Sequence, residues 1–413
     1  MIAYMSDDKK EIGERDHRQI GKELGLFTFS DIVGKGLPLW TPKGTVLRRV
    51  LERLIVDEEI KRGYQHVSTP DIAKIDLYKK SGHYPYYKDS MYAPIDVDGE
   101  EFMLRPMTCP HHFELYLSQP HSYRELPMRI AEMAKLYRYE LSGVLSGLVR
   151  VRSFCLSDAH IICADKAQAA QEVGNVLDLI DYFSGIFGLQ KGEDYWYRLS
   201  LGERADEKKY YKDDAAWDEA EDCLRGVLKA RGEKCTEAKN EAAFYGPKID
   251  VQMKDARGAE NTAFTVQYDF VMPKRFKLVY NDKDGKEKES VVIHRSAVGA
   301  LERLIAFLIE KYDGAFPFWL APVQVKVIPV ADTFAPYAQK VHDTLMNAGI
   351  RSELDASKDT LGKKVRNAKV EKVPYWIVVG EKEATAQTCS LESREGKKET
   401  FPLSNIQSRL GRV

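Results

Sequence analysis

The chain has 413 residues, 44% of them hydrophobic, so it is long enough for two or three domains with buried cores. Its 62 basic and 63 acidic residues nearly cancel, which excludes a generally basic nucleic-acid-coating protein and requires a local basic surface for any such partner. No apolar run reaches about 18 residues and the N terminus lacks an apolar signal core, so we expect a cytoplasmic protein that does not enter a membrane. Six cysteines without a CxxC pair argue against a disulfide framework.

The N-terminal region alternates predicted helices with a strand. Residues 1–14 are polar and are expected to form a flexible tail. Asp16 is a candidate N-cap for a helix with apolar residues at Ile20 and Leu24. A second helix carries an apolar stripe over residues 46–55, and the run YQHVSTPDI after it is predicted to be a strand.

Residues 126–160 are predicted to form a hairpin whose second strand has a chemically mixed face. A run that ends at Arg138 and Glu140 leads into the turn LSGVLSG, and VRVRSF then alternates strictly. Alternate residues of an extended strand share a face, so six side chains are expected to point the same way. These are Arg150, Arg152, Phe154, Leu156, Asp158 and His160. Cations beside an aromatic ring favour a phosphate- and base-binding surface, and an amphipathic hairpin with exposed arginines is the alternative.

Two further segments carry candidate chemistry. His83 lies in the tyrosine-rich run KSGHYPYYKDSMY, where a lone histidine is more often a surface or packing residue than a base. Cys109 precedes Pro110 and two histidines at the start of a predicted helix. It is either a buried thiol or a metal ligand, and His111 and His112 are neighbouring candidate ligands.

Helices and strands alternate through the middle of the chain. Residues 165–190 and the run DDAAWDEAEDCLRGVLKARG are predicted to be amphipathic helices. ENTAFTVQYDFVMP is predicted to contain a central strand around Val266, and VVIHRSAVGALERLIAFLIEKY passes from strand into helix.

The clearest domain boundary lies in GAFPFWLAPVQ, where Pro317 and Pro322 interrupt the pattern. From Val323 onward strands and helices alternate again, which predicts a small α/β domain with a mostly parallel sheet. A basic run in this domain is either a solvated helix face or a nucleic-acid-binding surface. Its members are Lys358, Lys363, Lys364, Arg366, Lys369 and Lys372.

From Arg15 to the C terminus the chain resembles the threonyl-tRNA synthetases, which belong to class II of the aminoacyl-tRNA synthetases. The motifs that carry the resemblance are RDHRQIGKELGLF, KSGHYPYYKDSMY, RPMTCPHH, DAHII, AFYGPKID, VIHRSAVGALER and GAFPFWLAPVQ. The resemblance implies an α/β (α+β) fold, with an antiparallel sheet flanked by helices in a catalytic domain at 15–321. A small α/β anticodon-binding domain at 322–413 follows it. The helix, strand and proline before residue 71 resemble motif 1 of class II, which implies a homodimer.

The resemblance also implies activation of L-threonine by ATP with Mg²⁺ and transfer to tRNA(Thr), with no DNA partner. The implied catalytic residues are Arg138 of motif 2, Arg303 of motif 3 and His83, which matches the histidine that acts on the terminal ribose of tRNA. The implied ATP site comprises Arg138, Glu140, Arg150, Phe154 and Arg303. The implied substrate pocket comprises Met107, Asp158, Tyr245, Lys248 and Gln267.

One Zn²⁺ per subunit is implied, held by Cys109, His160 and His294, with a fourth position open to substrate. Such an ion would distinguish threonine from valine, because apolar packing separates near-isosteric substrates by only about 1–3 kcal/mol. The implied tRNA contacts in the anticodon-binding domain are Lys363, Lys364, Arg366 and Glu383.

The sequence departs from the family pattern in several places. Leu156, Ala300 and Thr262 replace polar residues near the substrate. The family's N-terminal editing region has no counterpart, which is expected of either a trimmed chain or a natural short form. Two other functions remain open: a non-catalytic, synthetase-like tRNA-binding paralogue, and a class II enzyme for prolyl or seryl substrates.

Overall fold

The structure, a computed structural model, describes residues 16–410, so the tail predicted at residues 1–14 lies outside the described residues. These residues form two compact units. The first comprises Phe29–Pro38 and Glu52–Phe307, and the second comprises 16–28, Leu39–Leu51 and 308–410. Among residues 16–410, no helix is both long and apolar enough to cross a bilayer.

The helices differ widely in length, and several begin at a side-chain cap. They are α1 (His17–Glu23), α2 (Pro42–Lys61), α3 (Ile75–Ser81), α4 (His83–Tyr86), α5 (Cys109–Tyr116), α6 (Lys166–Ile186), α7 (Asp214–Ala230), α8 (Met272–Phe276), α9 (Leu301–Lys311), α10 (Ala335–Asn347), α11 (Leu361–Val370), α12 (Glu381–Ala386) and α13 (Ile406–Leu410). The predicted cap of α1 is confirmed, because the Asp16 carboxylate accepts the backbone N–H groups of Arg18 and Gln19.

The strands within residues 16–410 fall into one large sheet, one medium sheet and three small ones. They are β1 (Phe27–Thr28), β2 (Leu39–Trp40), β3 (Gln65–His66), β4 (Ile72–Lys74), β5 (Ile95–Val97), β6 (Glu100–Leu104), β7 (Met128–Tyr137), β8 (Ser153–Cys163), β9 (Tyr195–Ser200), β10 (Cys235–Ala238), β11 (Lys248–Lys254), β12 (Glu260–Asp269), β13 (Val279–Asn281), β14 (Glu287–Glu289), β15 (Val291–Ser296), β16 (Val325–Pro329), β17 (Ser352–Leu354), β18 (Tyr375–Val379), β19 (Thr388–Ser393) and β20 (Lys398–Pro402).

An eight-stranded sheet forms the centre of the first unit, in the order β10-β9-β11-β12-β15-β8-β7-β3. Its strands from β9 to β7 pair antiparallel, and the two outer pairs, β10 with β9 and β3 with β7, are parallel. The helices α6 and α7 pack against β8, β11, β12 and β15. Because a strand is pleated, alternate side chains of these strands point to the face of the sheet that is not covered by α6 and α7. The predicted antiparallel sheet flanked by helices is confirmed.

The hairpin of β7 and β8 corrects one prediction. Its register runs from Met128 opposite Ile162 to Tyr137 opposite Ser153, so β8 begins only at Ser153. Arg150 and Arg152 precede the strand, and the prediction that Arg152 continues its alternating face is wrong. The guanidinium of Arg152 instead donates to the carbonyl of Glu140 at 2.9 and 3.0 Å, which turns it toward the loop between the strands.

The five-stranded sheet of the second unit runs β17-β16-β18-β19-β20. The pairs of β16 with β17 and β18 are parallel, whereas β18–β19 and β19–β20 are antiparallel. The sheet is therefore mixed, and the prediction of a mostly parallel sheet is wrong. The reason is that a short turn joins β19 to β20, and a connection of that length permits only antiparallel pairing.

Candidate active site

Three potential metal ligands meet in the first unit. Cys109 opens α5, and His160 and His294 are direct cross-strand partners on β8 and β15. One potential ligand atom of each lies within 4.8 Å of the others, and all three residues are buried. The two imidazole centroids are 4.6 Å apart. The structure thus brings together the three residues predicted as metal ligands.

A second side chain holds each imidazole of this cluster through one ring nitrogen. His294 Nε2 lies 2.6 Å from Asp269 Oδ2, and the other oxygen of Asp269 accepts two backbone N–H groups of the following turn. His160 Nδ1 lies 2.8 Å from Nδ1 of His112. His160 Nε2 is buried and has no hydrogen-bond partner among the described residues. Contacts of this kind fix the ring orientation and leave the opposite nitrogen available to a metal.

Burial determines the ionisation of the cluster. It raises the pKa of the Cys109 thiol well above its ordinary value, and nearby carboxylates raise it further. It lowers the pKa of His160 well below its ordinary value, as do the neighbouring imidazoles. His160 is therefore neutral, which is the form of imidazole that coordinates a metal, whereas the thiol must lose its proton on coordination.

A cavity of about 260 Å³ opens next to these residues. Its lining includes all ten residues predicted for ATP and for the amino-acid substrate. They are Met107, Arg138, Glu140, Arg150, Phe154, Asp158, Tyr245, Lys248, Gln267 and Arg303, together with the potential ligand His294. Gln267, which lines the cavity, is the cross-strand partner of the potential ligand His294. Strand pairing therefore places the cavity next to the metal-ligand cluster.

Asp158 lies on β8 two residues before His160, on the same face of the strand. Burial raises the pKa of its carboxyl group, although the hydroxyl of Thr108 donates to the carboxylate and works in the opposite direction. Across the cavity the hydroxyl of Tyr245 donates to Gln267 Oε1 at 2.5 Å, and the Tyr245 ring stacks on His294 with centroids 4.8 Å apart. A small polar pocket thus adjoins the three potential ligands.

The two predicted catalytic arginines both line the cavity. The guanidinium of Arg138 lies 5.1 Å from the centroid of the Phe154 ring and donates to the sulfur of Met107 at 3.2 Å. Arg303, on the first turn of α9, donates to the carbonyl oxygens of Val149 and Thr262. Burial, followed by the positive charges of Arg138 and a neighbouring arginine, lowers the pKa of Arg303 to about 10. The cavity therefore has an excess of positive charge that suits a phosphate ligand.

Glu140 and Arg150 form an ion pair in the cavity lining, with Arg150 Nε 2.9 Å from Glu140 Oε2. Apolar side chains also line the cavity, among them Leu156 and Ala300, which pair as an isolated bridge and pack with the Phe154 cluster. Thr262 also lines the cavity. The three departures from the family pattern therefore lie at the predicted nucleotide site.

His83 lies beside the potential metal ligands and outside the cavity lining. Its Nδ1 is 2.7 Å from Ser81 Oγ, and its Nε2 is 3.7 Å from the sulfur of Cys109. Complete burial, followed by nearby positive charges, lowers the pKa of His83 to about 3, so the ring is neutral at pH 7. The role that the family resemblance implies for His83 stays a prediction.

The predicted tRNA contacts lie on two helices of the second unit and differ in exposure. Lys363 is exposed and pairs with Asp359, and Arg366 is exposed on the same helix, α11. Lys364 is buried, and its ammonium donates to the carbonyl of Asp355 at 3.2 Å. The carboxylate of Glu383 accepts the hydroxyl of Ser390 and the N–H of Gly380, which closes the N terminus of α12.

Sequence reasoning missed the residues that orient the cluster. Asp269 had no signal beyond its place at the end of a predicted strand. His112 is a candidate ligand by its place beside Cys109, but both of its ring nitrogens contact other side chains, His160 and Glu132. His111, the other candidate beside Cys109, packs against the ring of Tyr78.

Two family models match the chain. The tRNA synthetase class II core domain (G, H, P, S and T) matches residues 92–312, and the anticodon binding domain matches residues 324–412.

Close relatives and a solved structure agree with these matches. The threonine–tRNA ligase of Geobacillus sp. (strain WCH70) is 49% identical over 403 residues, which is 97% of this chain and 62% of the relative. That of Anoxybacillus flavithermus (strain DSM 21510 / WK1) is 50% identical over 95% of this chain and 61% of the relative. The chain thus spans about three fifths of the length of the curated relatives it matches. The crystal structure of the RNA binding domain of threonyl-tRNA synthetase from Cryptosporidium parvum Iowa II superposes with a TM-score of 0.90 at 35% identity, covering 96% of this chain and 98% of that one. The chain therefore belongs to the class II aminoacyl-tRNA synthetases, and within them to the threonyl-tRNA synthetase family.

Proposed function

We propose that this protein activates L-threonine with ATP and Mg²⁺ and transfers the threonyl group to tRNA(Thr), with a zinc ion selecting the amino acid. The observation that carries the proposal is the proximity of two sites. Cys109, His160 and His294 form a potential metal site, and it adjoins a cavity lined by Arg138 and Arg303. The metal site suits a small substrate with an amine and a hydroxyl, and the cavity suits a nucleoside triphosphate.

The residues present fit zinc. One thiol and two imidazoles are the ligands that this metal prefers, and three protein ligands are typical of sites that keep a position for substrate. The buried Nε2 of His160, which lacks a partner among the described residues, also supports a metal. When bound, zinc would supply a Lewis-acid position for the amine and hydroxyl of threonine, which valine cannot complete. Asp158 is placed to accept a hydrogen bond from the substrate hydroxyl.

Activation joins the threonine carboxylate to the α-phosphorus of ATP and releases pyrophosphate. The carboxylate and the triphosphate, both anionic, must be held together, and guanidinium groups bind both carboxylate and phosphate bidentately. Arg138, which lies over Phe154 in the cavity lining, is suited to bridge the carboxylate and the α-phosphate. Arg303 and Arg150 are suited to the outer phosphates, and the ring of Phe154 offers a stacking surface for the adenine. In this way the cavity would align the two reactants.

The second unit would bind the anticodon arm, with exposed cations of α11 contacting phosphates. We also infer a homodimer, because the helix, the strand β3 and the proline that precede residue 71 resemble motif 1 of class II.

The first test is amino-acid-dependent exchange of pyrophosphate into ATP. We expect exchange with threonine, weaker exchange with serine and none with valine. Absence of threonine-dependent exchange with retained binding of tRNA would favour the non-catalytic paralogue, and exchange with proline would favour a sister class II enzyme.

The second test is metal content by elemental analysis. We expect about one zinc per chain in the purified protein, and loss of both zinc and threonine binding in Cys109→Ala. Cys235→Ala is a matched control, because this half-buried thiol lies on the edge strand β10. Unchanged zinc content in Cys109→Ala would contradict the proposed site.

A further inference from the structure

A chain of buried side chains extends from His160 away from the other potential ligands. His160 Nδ1 lies 2.8 Å from Nδ1 of His112, and His112 Nε2 lies 3.3 Å from Oε2 of Glu132. The three residues stand on β8, α5 and β7 and are at most 5% exposed. They connect the cluster to a carboxylate that no metal ligand contacts directly.

The contacts of this chain determine where its protons lie. A carboxylate only accepts hydrogen bonds, so His112 Nε2 must carry a proton to bond to Glu132. With this single proton on its ring, His112 has Nδ1 as an acceptor. The short contact between the two Nδ1 atoms then requires that His160 donates. His160 Nε2 is therefore the nitrogen without a proton, and it is also the atom that lacks a partner.

Glu132 is itself held in place, so the chain has a fixed end. Thr69 donates its hydroxyl to Glu132 Oε2 at 2.7 Å and its backbone N–H to Oε1 at 3.3 Å. Arg105, which is 2% exposed, places its Nη2 3.1 Å from Oε1. These bonds prevent the carboxylate from following a rotated imidazole.

We propose that His112 is a positioning residue for the metal ligand His160. It holds the His160 tautomer in which Nε2 has no proton, and it fixes the rotation of that ring about its side chain. This inference rests on the proposed zinc site. It also explains why His112, although it follows Cys109 closely in sequence, is not itself a ligand: both of its nitrogens are engaged.

Two substitutions of His112 separate positioning from packing. In His112→Asn the carboxamide oxygen takes the place of Nδ1 and can still accept from His160. In His112→Gln the carboxamide reaches the place of Nε2, so the contact with Glu132 is kept and the contact with His160 is lost. His111→Gln is the matched control, because neither nitrogen of His111 has a hydrogen-bond partner among the described residues.

The test is metal affinity of the full chain, measured by competition with a chelating dye for Zn²⁺ and by the visible absorption of bound Co²⁺. We expect zinc to bind about 10- to 100-fold more weakly to His112→Gln, as for other residues that orient metal ligands. We expect an altered Co²⁺ spectrum in this variant, and affinity and spectrum close to wild type in His112→Asn and His111→Gln. Thermal unfolding in the presence of a chelator measures any loss of folding that is independent of metal.

Equal zinc affinity in His112→Gln and the wild type overturns the proposal. Equal losses in His112→Gln and His112→Asn also overturn it, because packing alone would then account for both. If the wild type binds neither Zn²⁺ nor Co²⁺, the proposed zinc site fails as well, so the two failures are distinguishable.

Discussion

Arg138 and Arg303 are the residues on which the proposed chemistry most depends. Both are half-buried, and the repulsion between them helps to lower the pKa of Arg303. A bound polyphosphate would offset that repulsion. The positive potential that favours anion binding is therefore already present in the cavity before the substrate arrives. The protein tolerates these cations because Arg303 donates to backbone carbonyls and Arg138 lies over an aromatic ring.

Replacing Arg138 tests this preference. We expect threonine-dependent pyrophosphate exchange by Arg138→Ala to be at least about 100-fold slower, because an interaction with developing charge is lost. Arg138→Lys should recover little, since an ammonium cannot bind two oxygens side by side. Arg225→Ala on α7, where the arginine pairs with Glu237, is the control. A rate for Arg138→Ala equal to that of the control would remove Arg138 from the mechanism.

Asp158 is expected to govern amino-acid selection. We predict that Asp158→Asn lowers kcat/KM for threonine roughly 30-fold, the equivalent of about 2 kcal/mol for a lost charged hydrogen bond. The isosteric amide retains the contact with Thr108, so the fold and zinc content should persist. Steady-state exchange kinetics measure the effect, with the exposed Asp222→Asn as control. Unaltered discrimination between threonine and valine would show that the carboxylate does not contact the substrate hydroxyl.

At the scale of elements, the turn between β15 and α9 decides where Arg303 stands. Gly299 in this turn has φ +66°, and a Cβ there would overlap the carbonyl oxygen of Ala263. We expect Gly299→Ala to lower the free energy of unfolding by about 1–3 kcal/mol through backbone strain. Nucleotide binding should weaken with it because the start of α9 must shift.

The matched control for this change is Gly226→Ala, in the middle of α7, where an added Cβ meets nothing within 4 Å. Alanine there should stabilise the protein by about 0.5–1 kcal/mol, because glycine loses more backbone entropy in a helix. Chemical denaturation measures both variants. Similar effects of the two substitutions would contradict the role assigned to the turn.

Asp181 joins α6 to the sheet. Its carboxylate accepts the hydroxyls of Tyr195 and Tyr197, each at 3.0 Å, and pairs with Lys191 and Arg231. Burial alone would raise the pKa of Asp181, but the hydrogen bond and charge of Lys191 and the tyrosine hydroxyls together lower it.

A carboxyl group whose pKa is lowered by folding stabilises the protein fully above its unfolded pKa, and this contribution is lost as the pH falls through the folded value. We therefore expect Asp181→Asn to cost about 2 kcal/mol at pH 7, and the difference from wild type to shrink on acidification below about pH 4. Urea denaturation across this pH range measures it, with the exposed Glu193→Gln as control. A difference that does not vary with pH would contradict this account.

At the scale of the whole molecule, the chain has two units, each with its own sheet and core. The second unit includes segments from before and after residue 322, and Glu371 pairs with Lys43 as well as with Lys326. A deletion at the predicted boundary would remove part of this unit and leave the rest without its core. Substitutions that reverse the charge of exposed residues test its function without that damage. The boundary at residue 322 itself stays a prediction.

Exposed cations of α11 are expected to contact tRNA phosphates. In Lys363→Glu and Arg366→Glu we expect weaker binding of tRNA and a salt dependence whose logarithmic slope is smaller by about 1 per removed cation. Binding measured between low and moderate salt gives the slope, and Lys340→Glu on α10 serves as control. An unchanged slope in both variants would leave α11 as a solvated helix face.

Much of the fold follows from local patterns. The N-cap of α1 at Asp16, the amphipathic α6 and the strand around Val266 were predictable, because each depends on residues within one or two turns or on strict alternation. Local sequence patterns gave wrong predictions where contacts between residues far apart in the sequence determined the structure. Arg152 left the predicted strand face because the carbonyl of Glu140 attracts it, and the sheet of the second unit became mixed because the short turn around Gly396 pairs β19 with β20 antiparallel.

The sequence by itself determined which residues could bind a metal and phosphates, because thiol, imidazole and guanidinium chemistry is a property of residue type. Only the tertiary structure decided which of them meet. The register of β8 with β15 sets His160 opposite His294, and α5 brings Cys109 to the pair and His112 behind it. Cross-strand register depends on the packing of the whole sheet, so it cannot be predicted from any short segment of the sequence.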